Sequence, residues 1–277
     1  MLLAALSLGG CGSWPLQPLA VGETPIATRI ERLLPADALL LGEQHDAADH
    51  QRIQAEVVTL MAARSGLAAL AIEMAEAGNG TAHLPPTATD EQARTALSWN
   101  DQAWAWANYG PVVMAAVRAG VPVLGANLPR ERMKDAMDDV SLDVQLGEAA
   151  MIEQREAIRS GHCGLLPESQ IAPMTRIQIA RDRSMAHAIA TARVPGKTVV
   201  LVAGAGHVSS RLGVPQQLPD DLKVVTVRLA AGAASNTSGR EPGFDALWAT
   251  PAVPVRDHCA DFRLQQRQQQ QQQQQRD

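Results

Sequence analysis

Two uninterrupted apolar runs, Ala38-Leu39-Leu40-Leu41 and Thr198-Val199-Val200-Leu201-Val202-Ala203, place the strongest limit on the fold. Neither alternates apolar with polar residues, so neither suits a strand with one face in water. Continuous runs this short fit strands buried on both faces, the pattern of a parallel sheet. Each run passes directly into a Gly-x-x-His, first Gly42-Glu43-Gln44-His45 and then Gly204-Ala205-Gly206-His207. A glycine at the strand end permits a sharp turn, so that the imidazole three residues on projects over the sheet edge. In an open α/β sheet, ligands sit in the crevice outside the carboxyl ends of the strands. One such histidine is as readily an ordinary loop or packing residue. Its repetition at two strand ends points to one shared site for His45 and His207.

Further strands are predicted at 67–74, 121–127 and 222–229, each preceded by a helical segment, and this alternation argues for a mostly parallel central sheet with helices on its faces. Helices are expected at 48–64, at 91–108 with a continuation over 111–119, at 149–159 and at 169–193, with Pro173 in the first turn of the last. No strand is evident between Asn127 and Thr198. Residues 130–195 therefore read as a helical insertion that caps the carboxyl edge of the sheet. The α/β domain is expected to run from 24 to 262, and the glutamine-rich tail, 263–277, to be disordered because it has nothing to bury.

The strand ends collect polar groups: Glu43 and His45, Glu73, Asn127 and His207. Two imidazoles and a carboxylate (His45, His207 and Glu73) supply the donor types a divalent metal takes. The set Glu43, His45, Glu73 and His207 serves equally as a catalytic acid/base cluster. Glu73, flanked by Ile72 and Met74, is costly to bury without a partner. Asn127 suits a helix cap as well as a site, and Asp46, Asp49 and His50 open the helix after His45, where acids favour the dipole and His50 is expected at the surface rather than in the crevice. On the long helix, Met174, Gln178, Arg181 and Met185 are spaced four, three and four apart and share a stripe. That stripe suits either a pocket for a flat apolar ligand with acidic substituents, paired by Arg181, or core filling with Arg181 held by Glu73.

A net charge of −5 with scattered basic residues excludes an electrostatic footprint for nucleic acid. One tyrosine and two phenylalanines argue against a stacking surface, leaving aliphatic side chains and methionine to contact a planar ligand. The start, from Met1 through Leu8-Gly9-Gly10 to Cys11, is an apolar stretch of signal-segment length, far too short to span a bilayer, and reads either as a signal segment or as an ordinary apolar strand with an incidental cysteine. It resembles a bacterial lipoprotein signal covering 1–11, with Cys11 as the acylated, palmitate-bearing residue of the mature chain and an outer-membrane address. Cys163 and Cys259 then share an oxidising compartment, either as a disulfide or as two buried thiols.

The ordered segments Leu40-Leu41-Gly42-Glu43-Gln44-His45-Asp46, His50-Gln51, Glu73-Met74, Tyr109-Gly110-Pro111, Asn127-Leu128-Pro129-Arg130, Gly161-His162-Cys163-Gly164-Leu165-Leu166-Pro167, Arg181-Asp182, Met185-Ala186, Gly204-Ala205-Gly206-His207 and Gly213-Val214-Pro215 resemble the ChaN family of haem-binding lipoproteins. The resemblance implies a lipid-anchored α/β protein of iron acquisition that binds haem as a dimer, with an outer-membrane haem receptor as a further partner. It implies a tyrosine ligand to the iron, for which Tyr109 is the sole tyrosine, aided by a histidine of the partner subunit. His45, His207, Arg181, Met174 and Met185 are the other expected haem contacts. The paired motifs are also similar to those of TIKI-type metalloproteases and erythromycin esterases. That likeness implies, as an alternative, a metal-dependent hydrolase working through Glu43, His45, Glu73 and His207.

Overall fold

The computed structural model describes residues 24–232 and 241–274. The expected signal segment and Cys11 lie outside these residues, as do the last three residues of the tail. Strands β1 (Ala38–Glu43), β2 (Leu67–Glu76), β3 (Val123–Asn127), β4 (Thr198–Gly204), β5 (Val224–Ala231) and β6 (Ala246–Thr250) form one sheet in the order β3-β2-β4-β1-β5-β6, all pairs parallel. The α/β architecture read from the sequence is thus observed. Among the described residues no helix is long and apolar enough to cross a membrane.

Alternation along β1 accounts for its continuous apolar run. Leu39 and Leu41 enter a core built with helices α1 (Ile26–Glu31) and α2 (Ala48–Ala63), whereas Ala38 and Leu40 enter a second core on the opposite face. Both faces are dry, so no polar position is left between Ala38 and Leu41. Helices α3 (Asp90–Ala96) and α4 (Trp106–Arg118) complete the first layer. The stretch 130–195 holds α5 (Met133–Asp138), α6 (Glu148–Gly161) and α7 (Glu168–Thr191) and no strand. Its own small core gathers Ala136, Leu142, Met151 and Ile179, while Met185 and Ile189 of α7 pack under the sheet. A one-turn helix, α8 (Ala205–Val208), follows β4, and α9 (His258–Gln274) ends the described chain.

The structure departs from the sequence expectations at four places. The helix expected over 91–108 is broken: α3 stops at Ala96, Ser98 takes a left-handed φ of 48°, and the chain loops until Trp106. Side chains win the backbone there. Asn100 Oδ1 accepts from the amides of Gln102 and Ala103, and Asp101 Oδ1 accepts from the Trp106 amide at 2.8 Å, so a local turn replaces the helical ladder. Strand β6 was not anticipated, because a five-residue run between Gly, Pro and Asp carries too little pattern. Pro173 stands at the sixth position of α7, past its first turn. Last, α9 continues through the described part of the glutamine tract, glutamine being a good helix former, although none of its described side chains is buried. Its first turn is tied to the end of α6 by a disulfide between Cys163 and Cys259, their Cα atoms 5.6 Å apart.

Candidate functional site

Register brings the two Gly-x-x-His loops together: β1 and β4 are neighbours, and Glu43 pairs directly with Gly204. The glycines are needed for close approach rather than for a turn, since Gly204 has an ordinary φ of −58°. A Cβ on Gly42 would meet Ala205 Cα at 3.0 Å, so α8 lies directly on β1. A Cβ on Gly204 would lie 2.9 Å from His45 Nε2 and 3.6 Å from Glu73 Oε2. His45 and Glu73 therefore converge above a bare piece of backbone.

Two carboxylate–imidazole clusters face each other across this point. In the first, Glu43 is buried and accepts three hydrogen bonds: from His45 Nδ1 at 2.7 Å and Tyr109 Oη at 2.5 Å, both to Oε1, and from Gln51 Nε2 at 2.9 Å to Oε2. His45 keeps 40% of its side chain exposed, and its Nε2 has no hydrogen-bond partner among the described residues. Burial works against the His45 charge, but its bond to Glu43 and the nearby Glu73 carboxylate outweigh that and raise its pKa. Trp104 sets its ring edge against the His45 imidazole, centroids 4.9 Å apart, and contacts Tyr109 at 5.9 Å. Trp99 holds that loop by donating from Nε1 to the Trp104 carbonyl at 2.8 Å.

In the second cluster His207 is buried between two acids, with Nδ1 2.6 Å from Asp182 Oδ1 and Nε2 3.4 Å from Glu73 Oε1. Burial disfavours its charge, yet the two carboxylates prevail and raise its pKa to about 10. Glu73 is opposed by burial but is held well below the usual carboxylate range by His207, His45 and the Gly204 amide, which donates to it at 2.8 Å. For Asp182 burial dominates and lifts the pKa to about 6, against the pull of His207.

These clusters open on a cavity of about 510 Å³, lined by Glu43, Gln44, His45, Glu73, Arg181, His207 and the ends of β4 and β5, within the roughly 300–1,000 Å³ range of small-molecule sites. Arg181 makes no ion pair among the described residues, and its buried Nε has no hydrogen-bond partner, so the expected alternative of a structural bond to Glu73 does not form. Arg228, which also lines the cavity, is paired with Glu241.

The other sequence candidates fall elsewhere. Tyr109 is 3% exposed, sits behind Glu43 rather than on the cavity wall, and has its pKa driven upward by burial and by Glu43, which opposes phenolate formation. Met185 is fully buried in the sheet core and Met174 packs with the cap core, so the predicted stripe splits and only Gln178 and Arg181 reach the site. His50 is no surface residue. It is fully buried, accepts from the Gln44 amide at 2.9 Å through Nδ1 and reaches Thr250 Oγ1 at 2.9 Å through Nε2, a brace beneath the loop. The metal set of His45, Glu73 and His207 is not formed: both nitrogens of His207 are engaged by acids, and among the described residues no group of three or more His, Cys, Asp or Glu is arranged to hold a metal ion. Sequence reading gave no role to Asp182, Gln51 or Trp104. Asp182 follows Arg181 and lies one turn past Gln178, a signal that was present, whereas the broken helix hid Trp104.

Residues 29–218 match the family described as haem-binding uptake, Tiki superfamily, ChaN. No curated protein matches the chain. Among solved structures, one of cofacial heme binding to ChaN of Campylobacter jejuni is similar, with a TM-score of 0.64 and 25% identity over 75% of this chain and 86% of that one. The type III effector HopBA1 gives a TM-score of 0.43 at 16% identity over 78% of this chain and 88% of that one. The toxin effector domain RRSP of Vibrio vulnificus gives 0.43 at 14% identity over 75% of this chain and 36% of that one. Since the family match takes in more than half of the chain, including both Gly-x-x-His loops, the protein belongs to the ChaN family of haem-binding uptake proteins in the Tiki superfamily.

Proposed function

We propose that the chain binds haem in the strand-end crevice and serves iron acquisition, carried on a lipid at Cys11 in the outer membrane of a bacterial envelope. One observation carries the reading: His45 Nε2 and Arg181, neither with a partner among the described residues, face the same cavity. Haem would bring a ferric centre that takes a nitrogen or oxygen donor, together with two carboxylates. The residues fit both needs. His45, held by a carboxylate at its other nitrogen, is built as histidine ligands commonly are, and Arg181 suits a carboxylate. His45 therefore takes the ligand role expected of Tyr109. The indole of Trp104 beside it offers a planar ligand an aromatic neighbour that composition argued against. The cofacial haems of the Campylobacter protein support a reading in which two copies meet at this face.

The test is a titration of the purified protein with ferric haem followed by visible absorption. A saturable Soret shift is expected, lost in His45→Ala and weakened about tenfold in Arg181→Ala, the size of one charge-assisted bond. Wild-type protein without a shift refutes the reading. Anchoring is checked separately by labelling cells with a palmitate analogue and fractionating membranes, with label absent from Cys11→Ser.

The paired imidazole–carboxylate clusters favour a second reading, hydrolysis without metal, in which His45 acts as base and protonated His207 as acid. Turnover of ester or peptide libraries that disappears in both His45→Ala and His207→Gln, with no Soret shift in wild type, decides for it.

A further inference from the structure

Glu43 is the hub of the first cluster, and its surroundings specify more than the burial of a charge. Oxygen Oε1 receives two donors, His45 Nδ1 at 2.7 Å and Tyr109 Oη at 2.5 Å. Oxygen Oε2 receives Gln51 Nε2, which also donates to the His45 carbonyl at 3.3 Å. The His45 ring and its main chain are thus fastened to one carboxylate, and the Trp104 edge limits rotation of the ring. Because a carboxylate accepts only, Nδ1 must carry the proton of neutral His45, which leaves the lone pair on Nε2. Tyr109 shares Oε1 with that proton. The stronger its O–H bond to Glu43, the less negative charge remains for the imidazole.

We infer that Glu43 and Tyr109 are positioning residues for His45: Glu43 selects the tautomer that presents Nε2 to the cavity, and Tyr109, acting through the shared oxygen, sets how strongly that nitrogen donates. The inference rests on the reading of His45 as the ligand to haem iron. It assigns the single tyrosine a tuning role in place of direct ligation.

The experiment uses the full chain with 15N-labelled histidine. In the ligand-free protein, long-range proton–nitrogen correlation at alkaline pH reads the His45 tautomer. Wild type and Tyr109→Phe are expected to show the Nδ1–H form alone, and Glu43→Gln a mixture. With ferric haem, Glu43→Gln is expected to bind about 10–100-fold more weakly, the usual effect of removing a ligand's supporting carboxylate. Tyr109→Phe is expected to retain the Soret shift while the iron reduction potential moves to a more negative value. Loss of haem in His45→Ala marks the ligand assignment as sound. If that loss occurs and Tyr109→Phe leaves the potential unchanged, or Glu43→Gln keeps a single tautomer, the inference is overturned and the assignment stands. If His45→Ala keeps the wild-type spectrum while Tyr109→Phe loses it, the assignment itself falls.

Discussion

Gly204→Ala adds one methyl group at the point where the two clusters meet. The new Cβ would sit 2.9 Å from His45 Nε2 and 3.2 Å from its Cε1, closer than carbon packs against a ring. The backbone itself is no obstacle, because φ −58° and ψ 147° suit alanine, and a glycine-to-alanine change at a compatible position stabilises by about 0.4–1 kcal/mol through the unfolded chain. The ring must therefore move, which breaks its bond to Glu43, worth about 1.5–3 kcal/mol for a charged acceptor. The edge contact with Trp104 goes with it, about 0.5–1.5 kcal/mol. The net loss is about 1–4 kcal/mol, and at about 2–4 °C per kcal/mol for a chain of this size the melting temperature falls by roughly 2–16 °C. Haem affinity falls at least tenfold, because the displaced ring no longer presents Nε2. The assay pairs a thermal melt with the haem titration. As a control, Gly42→Ala crowds Ala205 and Val208 instead of His45 and is expected to lower the melting temperature while changing the tautomer of His45 little. A Gly204→Ala protein with wild-type melting and Soret shift would refute the placement of His45 over β4.

Reduction of the Cys163–Cys259 bridge, which spans 96 residues, removes loop-closure entropy worth at most about 4.7 kcal/mol. Beyond the bridge, the described residues hold α9 to the rest of the chain through a ring contact from Phe262 to His162 and a 3.5 Å approach of His258 to Asp46. Reduced protein is therefore expected to release this helix first, seen as tryptic cleavage at Arg256 or Arg263 before the core melts. For His207, whose folded pKa is raised from 6.5 to about 10, the stabilisation is complete below pH 6.5 and is lost as pH rises toward 10, on the order of 5 kcal/mol at most. Asp182, raised from 3.8 to about 6, costs stability as pH rises across that interval, whereas Glu73 adds stability above pH 4.5 and loses it in acid. Melting temperature is thus expected to fall between pH 7 and 10 in wild type and to stay flatter in His207→Gln. Trp104→Ala is expected to accelerate haem transfer to an excess scavenger by about 2–10-fold, the edge contact being worth about 0.5–1.5 kcal/mol.

Much of the frame was legible because burial leaves a one-dimensional trace. Ala38 to Leu41 carry no polar residue because both faces of β1 are covered, and the same holds for β4. Glu43, His45 and His207 were found because they end or directly follow those strands, and Glu73 because it ends the apolar run of β2. Strand β6 left no such trace, and the break before Trp106 was hidden because Asn100 and Asp101 resemble an amphipathic helix until their side chains are seen bonded to the backbone.

The sequence by itself determined five of the six strands, their parallel arrangement and the acids and imidazoles where their apolar runs end, since these follow from periodicity and from which residues water will not cover. Only the tertiary structure decided which of them share a proton. The register that sets Glu43 beside Gly204, the turn that brings Trp104 to His45, and the helix that places Asp182 at His207 while sending Met174 and Met185 into separate cores all depend on distances of a few ångströms between residues far apart in the chain. Those distances divide two similar motifs into unlike halves, His45 with an open nitrogen and His207 locked between carboxylates. Hydrogen bonding falls away within an ångström, and no spacing along a chain specifies contacts that fine.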